Sequence, residues 1–342
     1  MKKIILSFLL FLSIHSFSQK ISGIVLDGNT KEPIIGASVY FDNTTIGVST
    51  NNKGEFTLPY KRKIKTPLVV SFIGYISLRK TDLSITKKMK IYLYKSNSVL
   101  NEIVINTNDG WSKELKMKEF LKHFLGDTEN GRACKIVNKE NIILRYSKAK
   151  KQLTAKGVGP VLIKNPNLGF LISVELNHFE INYSFVSKNT RNFDHVYYSS
   201  TNFYKSINLD VSSETIKKRN EAYKGSVLHF MRALSKKELF KNGYKAYNED
   251  ETFSVYNAYN KVNYTKDIKI QKLTNLGVNV QLKNKLSIRY KNGEQSSVES
   301  FVDEFFIDSF GNHSPIDKIL FKGSFGNRRI GDALPLDFLL TK

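Results

Sequence analysis

The chain has 342 residues and carries 53 Lys and Arg residues against 31 Asp and Glu residues, a formal net charge of +22. Hydrophobic residues make up 41% and aromatic residues 12%, which excludes a disordered chain, and the length allows two domains with separate cores. The single cysteine, Cys134, excludes an intrachain disulfide, and we expect it to be a small buried hydrophobic residue.

The first eighteen residues have the pattern of a secretory signal peptide. Met1-Lys2-Lys3 is a charged start, the apolar run 4–14 is too short for a membrane helix, and Ser16-Phe17-Ser18 offers small residues for cleavage. We therefore expect residues 1–18 to be removed and the protein to be exported, to the periplasm or the outer-membrane periphery. No later run approaches the ~20 apolar residues of a membrane helix, so we expect no transmembrane span after signal removal.

The positive charge suits anionic partners such as nucleic acid, anionic lipid or an acidic polymer. Export argues against nucleic acid. Clusters such as Lys61-Arg62-Lys63 and Lys217-Lys218-Arg219 are expected on solvated strand ends and a helix face. The partners that remain are an envelope protein or polysaccharide, or an anionic outer-membrane surface.

Residues 19–95 alternate apolar and polar side chains in short runs that are separated by turn residues. Asp27-Gly28-Asn29 and Lys53-Gly54 are predicted tight turns with positive-φ positions, and Pro33 leads into a run that starts at Gly36. The predicted strands are 21–26, 37–41, 54–58, 68–72 and 89–94. This pattern predicts an antiparallel β-sandwich.

Five sequence blocks in this stretch carry a family resemblance. The blocks are Gly23-Ile24-Val25, Pro33-Ile34-Ile35-Gly36-Ala37-Ser38-Val39, Gly47-Val48-Ser49-Thr50, Lys53-Gly54-Glu55-Phe56-Thr57-Leu58 and Ser71-Phe72-Ile73-Gly74-Tyr75. In this order they resemble the carboxypeptidase-regulatory-like domain, a transthyretin-like sandwich common at the N-terminus of exported proteins of Bacteroidetes-type bacteria. The resemblance implies no active site in this domain. It implies structural roles for Gly23, Pro33, Gly36, Gly47, Gly54, Phe56, Gly74 and Tyr75.

Residues 96–110 form the predicted boundary between the sandwich and the rest of the chain. One more alternating strand, Leu100-Asn101-Glu102-Ile103-Val104-Ile105, is followed by the turn-rich Asn106-Thr107-Asn108-Asp109-Gly110. In the resembled family such a strand often leads into a transporter plug domain. The sequence departs from that pattern here, and residues 111–342 are expected to form a separate domain of unknown function.

The pattern of residues 111–342 predicts a larger antiparallel α+β domain with a helical insertion. A helix is predicted over 111–125, with Asp109 as its N-cap, Gly126 at its end and His123 on the surface. The insertion has predicted helices at 214–224, capped by Ser213, and at 227–234. The motif Ser235-Lys236-Lys237-Glu238 has the capping-box form of a further helix.

The other elements of this domain are predicted strands, with a bulge near Asn177 and an interruption at Gly157-Val158-Gly159-Pro160. The strands are 142–146, 152–163, 170–185, 195–209, 244–259, 268–290, 300–308 and 319–325. Segments such as His229-Phe230-Met231-Arg232-Ala233-Leu234 and Ala333-Leu334-Pro335-Leu336-Asp337-Phe338 resemble the region after the sandwich in a group of exported Bacteroidetes proteins. That resemblance implies no activity.

The sequence has no motif for catalysis or metal binding. A zinc carboxypeptidase needs a His and a Glu three residues apart plus a distant His, and none of the histidines has a Glu at that spacing. A Gly-x-Ser-x-Gly elbow and a glycine-rich phosphate loop are also missing. The adjacent acids Asp303 and Glu304 point to opposite strand faces and are expected to be surface residues. We therefore predict no catalytic residue, no metal ligand and no cofactor.

The best remaining candidates for anion binding are Tyr223, His229 and Arg232, together with Gly225. His229 and Arg232 are three residues apart on one helix face, where they can together meet an anion or a carboxylate. The alternative is that His229 is a hydrogen-bonded core residue and Arg232 an ion-pair partner.

These observations predict an exported, non-catalytic binding or scaffolding protein of the bacterial cell envelope. The alternative is an envelope hydrolase that acts on peptide or glycan, with its site in the second domain. A deep pocket lined by clustered Asp, Glu or His would favour the hydrolase, and a shallow or apolar groove would favour binding.

Overall fold

The computed structural model describes residues 19–60, 66–83, 87–96, 109–248, 268–273, 276–283, 285–291 and 293–340. The predicted signal peptide, the predicted strand at 100–105 and residues 249–259 of the predicted strand at 244–259 lie outside the described residues.

Seven short strands at the N-terminus form two facing sheets with the orders β4-β1-β7 and β3-β2-β5-β6. The strands are β1 (Lys20–Asp27), β2 (Ser38–Phe41), β3 (Gly47–Ser49), β4 (Glu55–Pro59), β5 (Leu68–Ser71), β6 (Leu78–Lys80) and β7 (Met89–Leu93). Alternate residues such as Ile21, Val25, Phe56 and Leu58 are buried between the sheets, which confirms the expected sandwich.

Two details of the sandwich differ from the prediction. β1 pairs antiparallel with β4 but parallel with β7, because a strand's alternation carries no information on the direction of a partner far along the chain. In the turn after β1 the positive φ falls on Lys31, and the Asp27 carboxylate accepts hydrogen bonds from the backbone N–H groups of Asn29 and Thr30. This side-chain turn replaces the positive-φ turn predicted at Gly28.

A six-stranded sheet follows, with the order β8-β11-β12-β10-β9 and β13 paired to the other side of β12. Helix α1 packs on this sheet, through Phe120 and Phe124 against Phe179. A register shift at Leu176/His178 confirms the predicted bulge. The elements are α1 (Lys113–Leu125), α2 (Glu129–Ala133), β8 (Lys135–Ile136), β9 (Ile142–Ser147), β10 (Gln152–Gly157), β11 (Val161–Asn165), β12 (Phe170–Val186) and β13 (Arg191–Ser206).

The rest of the described chain builds two four-stranded sheets with the orders β14-β17-β18-β21 and β15-β16-β19-β20. Helix α4 contributes Phe230, Met231 and Leu234 to the core between them. The elements are α3 (Ser213–Tyr223), α4 (Val227–Ser235), β14 (Tyr244–Asn248), β15 (Ile268–Leu273), β16 (Gly277–Leu282), β17 (Leu286–Tyr290), β18 (Gln295–Ser300), β19 (Phe305–Asp308), β20 (His313–Ser314), β21 (Ile319–Gly323) and α5 (Ser324–Asn327).

The mainly β class and the α+β arrangement with a helical insertion are thus confirmed. The buried residues after the sandwich form two apolar clusters, one on the six-stranded sheet and one between the two smaller sheets. The exact domain boundaries remain a prediction.

Several helix caps were predicted at the wrong residue. Ser112 caps α1, and its Oγ accepts a hydrogen bond from the backbone N–H of Leu115 at 3.1 Å. Ser212, one residue earlier than predicted, caps α3. Residues 236–243 form turns, with Lys237 at a positive φ of 59°, where the capping-box motif predicted a helix. A short polar side chain near a helix start is a good cap, but the pattern does not distinguish between neighbouring candidates.

Candidate functional site

The eight signature residues lie within the sandwich, and one of them also lies at its boundary. Gly36, Gly54 and Gly74 have positive φ, and the Tyr75 hydroxyl donates to the Asp27 carboxylate at 2.6 Å. A side chain on Gly47 would lie 2.5 Å from the Phe203 ring of β13. The remaining signature residues, Gly23, Pro33 and Phe56, lie in or beside β1 and β4.

The turn between β2 and β3 joins the sandwich to the edge of the six-stranded sheet through the main chain. The backbone N–H of Asn43 donates to the carbonyl of Asn202 at 2.8 Å, and the N–H of Tyr204 donates to the carbonyl of Thr44 at 3.1 Å. Thr44 and Phe203 form a parallel bridge. The sandwich therefore adds a short strand segment to β13.

Aromatic packing reinforces this junction. The Tyr40 and Phe203 rings stack with centroids 4.9 Å apart, and Val69 completes a small buried cluster. Val69 is buried although it faces away from the sandwich core, which explains why every residue of β5 is buried. Such a contact resembles a continuous core more than a loose interdomain surface.

Asp42 is a buried carboxylate at the same junction. Its Oδ1 accepts a hydrogen bond from the backbone N–H of Asn202 at 2.9 Å, and its Oδ2 lies 3.4 Å from Nη2 of Arg79. Burial raises the pKa of the Asp42 carboxyl from 3.8 to about 6, because these contacts only partly replace the lost hydration.

A C-terminal segment ties the junction from a third side. The backbone N–H of Leu336 donates to the carbonyl of Asn43 at 2.7 Å, and the Asp337 carboxylate accepts hydrogen bonds from the N–H and the hydroxyl of Thr45. We call residues 333–338 the C-terminal strap. Through these bonds the strap lies against the N-terminal sandwich.

The structure brings the three anion-binding candidates together beneath this strap. The rings of Tyr223 and His229 have centroids 4.8 Å apart, and the Arg232 guanidinium lies 5.4 Å from the Tyr223 centroid. All three guanidinium nitrogens of Arg232 donate to backbone carbonyls, those of Phe310, Leu336 and Phe338. Arg232 therefore holds the strap in place, and it is not the ion-pair partner of the alternative interpretation.

His229 is buried and has hydrogen-bond partners on both ring nitrogens. Nδ1 lies 3.2 Å from the backbone N of Gly225 and 3.0 Å from the Tyr244 hydroxyl, and Nε2 lies 3.2 Å from Oδ1 of Asn242. Burial lowers the pKa of His229, which favours the neutral ring. These contacts support the hydrogen-bonded core role, and anion binding at this place remains a prediction without support from the geometry.

A cleft of about 430 Å³ opens where the sandwich, β13 and the strap meet. Its cationic side chains are Lys205, which is exposed, and Arg219, whose guanidinium carbon lies 4.0 Å above the centroid of the Phe170 ring. Arg219 also donates through Nε to the carbonyl of Leu168 at 2.7 Å. The lining residues are Thr45, Gly47, Phe170, Phe203, Tyr204, Lys205, Ser206, Arg219, Pro335, Asp337 and Phe338.

This lining combines aromatic rings and two cations with one carboxylate, that of Asp337, which is already bound to Thr45. Rings and cations suit a ligand that carries both flat apolar surface and negative charge. The sequence did not reveal the cleft, because its residues come from five separate segments of the chain. Of the lining, the sequence analysis had singled out Gly47 and the segment from Ala333 to Phe338, both for their family resemblance and not as parts of a cleft.

A cluster of titratable residues under the tip of the β12–β13 hairpin was also missed. The Glu119 carboxylate accepts hydrogen bonds at 3.1 Å from Nε of Arg191 and from the Tyr183 hydroxyl. His123, predicted at the surface, is buried with Nε2 3.7 Å from Glu119 and its ring against Phe193. Burial lowers the pKa of His123 to about 4. The prediction was wrong because the hairpin covers the face of α1 that carries Glu119 and His123, while the neighbouring Lys118 and Lys122 stay exposed.

Other titratable groups of the described chain show no arrangement for metal binding. No group of three or more His, Cys, Asp or Glu side chains in the described ranges is placed to hold a metal ion. Cys134 is buried, as expected, and burial raises the pKa of its thiol to about 12. Glu304 accepts hydrogen bonds from the side chains of Asn279 and Gln281 on the exposed face of a sheet.

Comparisons with known proteins concern the N-terminal region. Residues 21–105 match the family model described as the CarboxypepD_reg-like domain, which confirms the resemblance of the five sequence blocks. The TonB-dependent receptor SusC of Bacteroides thetaiotaomicron is 40% identical over 98 residues. Those residues are 28% of this chain and 9% of that receptor, so the chain corresponds to a small part of it. Among the described helices, none is both long and apolar enough to cross a bilayer.

Proposed function

We propose that this protein is an exported, non-catalytic binding or scaffolding protein of the bacterial cell envelope, at the periplasm or the outer-membrane periphery. The match of residues 21–105 to the CarboxypepD_reg-like domain and the similarity of 98 residues to a TonB-dependent receptor support envelope association. The observation that carries the binding role is the junction cleft, because three chain segments hold it in a preformed shape and its lining presents rings and cations. Preformed clefts bind ligands with little loss of conformational entropy.

The ligand that best fits this cleft is an acidic polysaccharide. Phe338, which is half-buried, offers apolar surface to a sugar ring, and the exposed Lys205 offers a flexible ammonium group to a carboxylate or sulfate. Arg219 adds a second positive charge that is held in place by Leu168. The net charge of +22 would also raise the rate at which a polyanion meets the protein.

Hydrolysis remains the alternative, and the cleft favours it less. A glycosidase of the common type needs two carboxyl groups on opposite sides of the scissile bond. The cleft lining has the carboxylate of Asp337, which accepts two hydrogen bonds from Thr45. The lining residues include no second carboxylate to face that of Asp337, so the pair that this reaction needs is not present in the cleft.

The test is binding of a uronic-acid oligosaccharide, measured by titration calorimetry with the full mature chain at low and moderate salt. We expect Lys205→Glu to weaken binding more than tenfold. Lys164→Glu, on an exposed position of β11 in the same sheet, makes the same charge change away from the cleft and should leave affinity within twofold. Equal loss in the two variants would contradict a role for the cleft.

A second measurement separates binding from hydrolysis. The oligosaccharide is incubated with the protein overnight and its length distribution is determined by chromatography. We expect it to be unchanged. Shortened products that disappear in an Asp337→Asn variant would support the hydrolase alternative instead.

A further inference from the structure

β13 is a long strand with one open edge. It has 16 residues and pairs with β12 along its whole length, whereas on its other side the pairing found among the described residues is limited to the junction with the sandwich. Open strand edges present unpaired N–H and C=O groups to which another strand can add.

The junction identifies which residues of β13 point their backbone groups outward. The carbonyl of Asn202 and the N–H of Tyr204 bind the sandwich turn, and the N–H of Asn202 donates to Asp42. Because backbone direction alternates along a strand, Ser200, Tyr198 and Val196 face the same way. The register shift at Leu176/His178 adds its extra residue to β12, so the alternation on β13 is not interrupted there.

These outward groups carry no main-chain partner in the part of the chain that the structure describes. Residues 195–200 read His-Val-Tyr-Tyr-Ser-Ser, without the lysine or proline that usually protects a strand edge. The N–H of Asn202, in contrast, is capped by the Asp42 carboxylate. The edge is thus closed at the sandwich and open beyond it.

The side chains beside this edge differ between its two faces. On one face, Val196 and Tyr198 are half-buried against the apolar core between α1 and the six-stranded sheet. Phe193 lies on the same face and is 47% exposed. On the opposite face Tyr197 is 43% exposed and His195 is also exposed. A strand added here would place apolar side chains over the first face and polar side chains over the second.

Charge indicates what kind of strand this would be. The chain carries a formal charge of +22, so two copies repel one another, whereas an acidic segment is attracted. A second copy of this chain is therefore the less favourable occupant.

We propose that residues 195–200 of β13 bind an extended acidic segment of a partner protein, with alternating apolar and polar residues, by strand addition. The main chain supplies the hydrogen bonds, and Phe193, Val196 and Tyr198 supply the contact for its apolar side chains. This surface continues the pairing that the sandwich turn already makes with Asn202 and Tyr204, and it is separate from the residues that would hold a ligand in the junction cleft.

The test uses a fluorescent ten-residue peptide of alternating valine and glutamate, measured by fluorescence polarisation with the full mature chain. We expect Ser200→Pro, which removes an outward N–H without touching the bonds to β12, to weaken binding at least tenfold. Ser200→Ala loses the same hydroxyl but keeps the N–H, and it should bind within twofold of the unmodified protein. Equal binding by Ser200→Pro and Ser200→Ala would overturn the proposal.

A peptide series keeps the proposal testable if Ser200→Pro does not fold. The peptide is N-methylated at alternate residues in each of the two registers, and we expect one register to lose binding at least tenfold and the other to keep it. Equal effects of the two registers would overturn main-chain pairing. If a peptide with lysine in place of glutamate bound equally well, the inference that the partner segment is acidic would be wrong. Sedimentation that shows a dimer broken by Ser200→Pro would identify a second copy as the occupant instead.

Discussion

Two buried titratable side chains, Asp42 and His123, make the stability of this protein depend on pH in opposite directions. Asp42 has a raised pKa, so its folded state binds a proton more readily than the unfolded chain does. His123 has a lowered pKa, so there the unfolded chain binds the proton more readily. Each group owes its shift mainly to burial, which is a tertiary property.

The Asp42 shift predicts that Asp42→Asn stabilises the protein at neutral pH. Because the folded pKa is raised from 3.8 to about 6, the wild type loses up to about 3 kcal/mol as the pH rises from 4 to 6. The asparagine Oδ1 can still accept from Asn202, and the partly exposed Arg79 ion pair contributes about 1 kcal/mol or less. We expect a gain of about 1–2 kcal/mol at pH 7.5, measured by urea unfolding. A loss of stability at pH 7.5 would count against the assignment.

The His123 shift predicts a loss of stability on acidification. Its contribution is complete above the unfolded pKa of 6.5 and decreases by up to about 3 kcal/mol as the pH falls to 4. His123→Gln cannot take up this proton, so its unfolding free energy is expected to fall less steeply over the same range. An equally steep fall in His123→Gln would contradict this role of His123.

At the scale of elements, the C-terminal strap depends on Arg232 of α4. One guanidinium donates to three carbonyls, two of them in the strap, at 2.8–2.9 Å. The strap in turn donates to the sandwich through Leu336 and accepts from it through Asp337. Arg232 of the helical insertion therefore stabilises the junction indirectly. It binds the strap, and the strap binds the sandwich turn.

Arg232→Lys is expected to destabilise the protein by about 2–3 kcal/mol, because an ammonium group cannot reach three carbonyls in a planar arrangement. Hydrogen exchange at the Leu336 and Asn43 amides should become faster. Arg132→Lys, at an exposed site on α2, is the matched control and should change stability by less than about 0.5 kcal/mol. If the two variants behaved alike, the strap would not depend on Arg232.

At the scale of the whole molecule, the sandwich is joined to the rest of the chain by main-chain pairing, ring stacking and the strap together. Domains joined by small polar contacts move independently, whereas a buried aromatic contact couples them. Because the Tyr40 and Phe203 rings are stacked and Thr44 forms a bridge to β13, we expect the sandwich and the rest of the chain to move together.

Phe203→Ala is therefore expected to weaken the junction more than the sandwich itself. We expect a loss of about 3–4 kcal/mol in protection at the Asn43 and Tyr204 amides, measured by native-state hydrogen exchange, with little change at Val25 in the sandwich core. Phe301→Ala, at an exposed phenylalanine, should leave all three amides unchanged. Equal loss at Val25 would mean that the sandwich has no stability of its own.

The sequence by itself determined the sandwich, most of the strands, the bulge in β12, the helical insertion and the burial of Cys134. These features follow from alternation, turn residues and composition, which act between neighbours in the chain. Only the tertiary structure decided the parallel pairing of β1 with β7, the burial of His123, the role of Arg232 and the junction cleft. Each of these depends on segments far apart in the chain, and local periodicity carries no information about which distant surface will cover a given face.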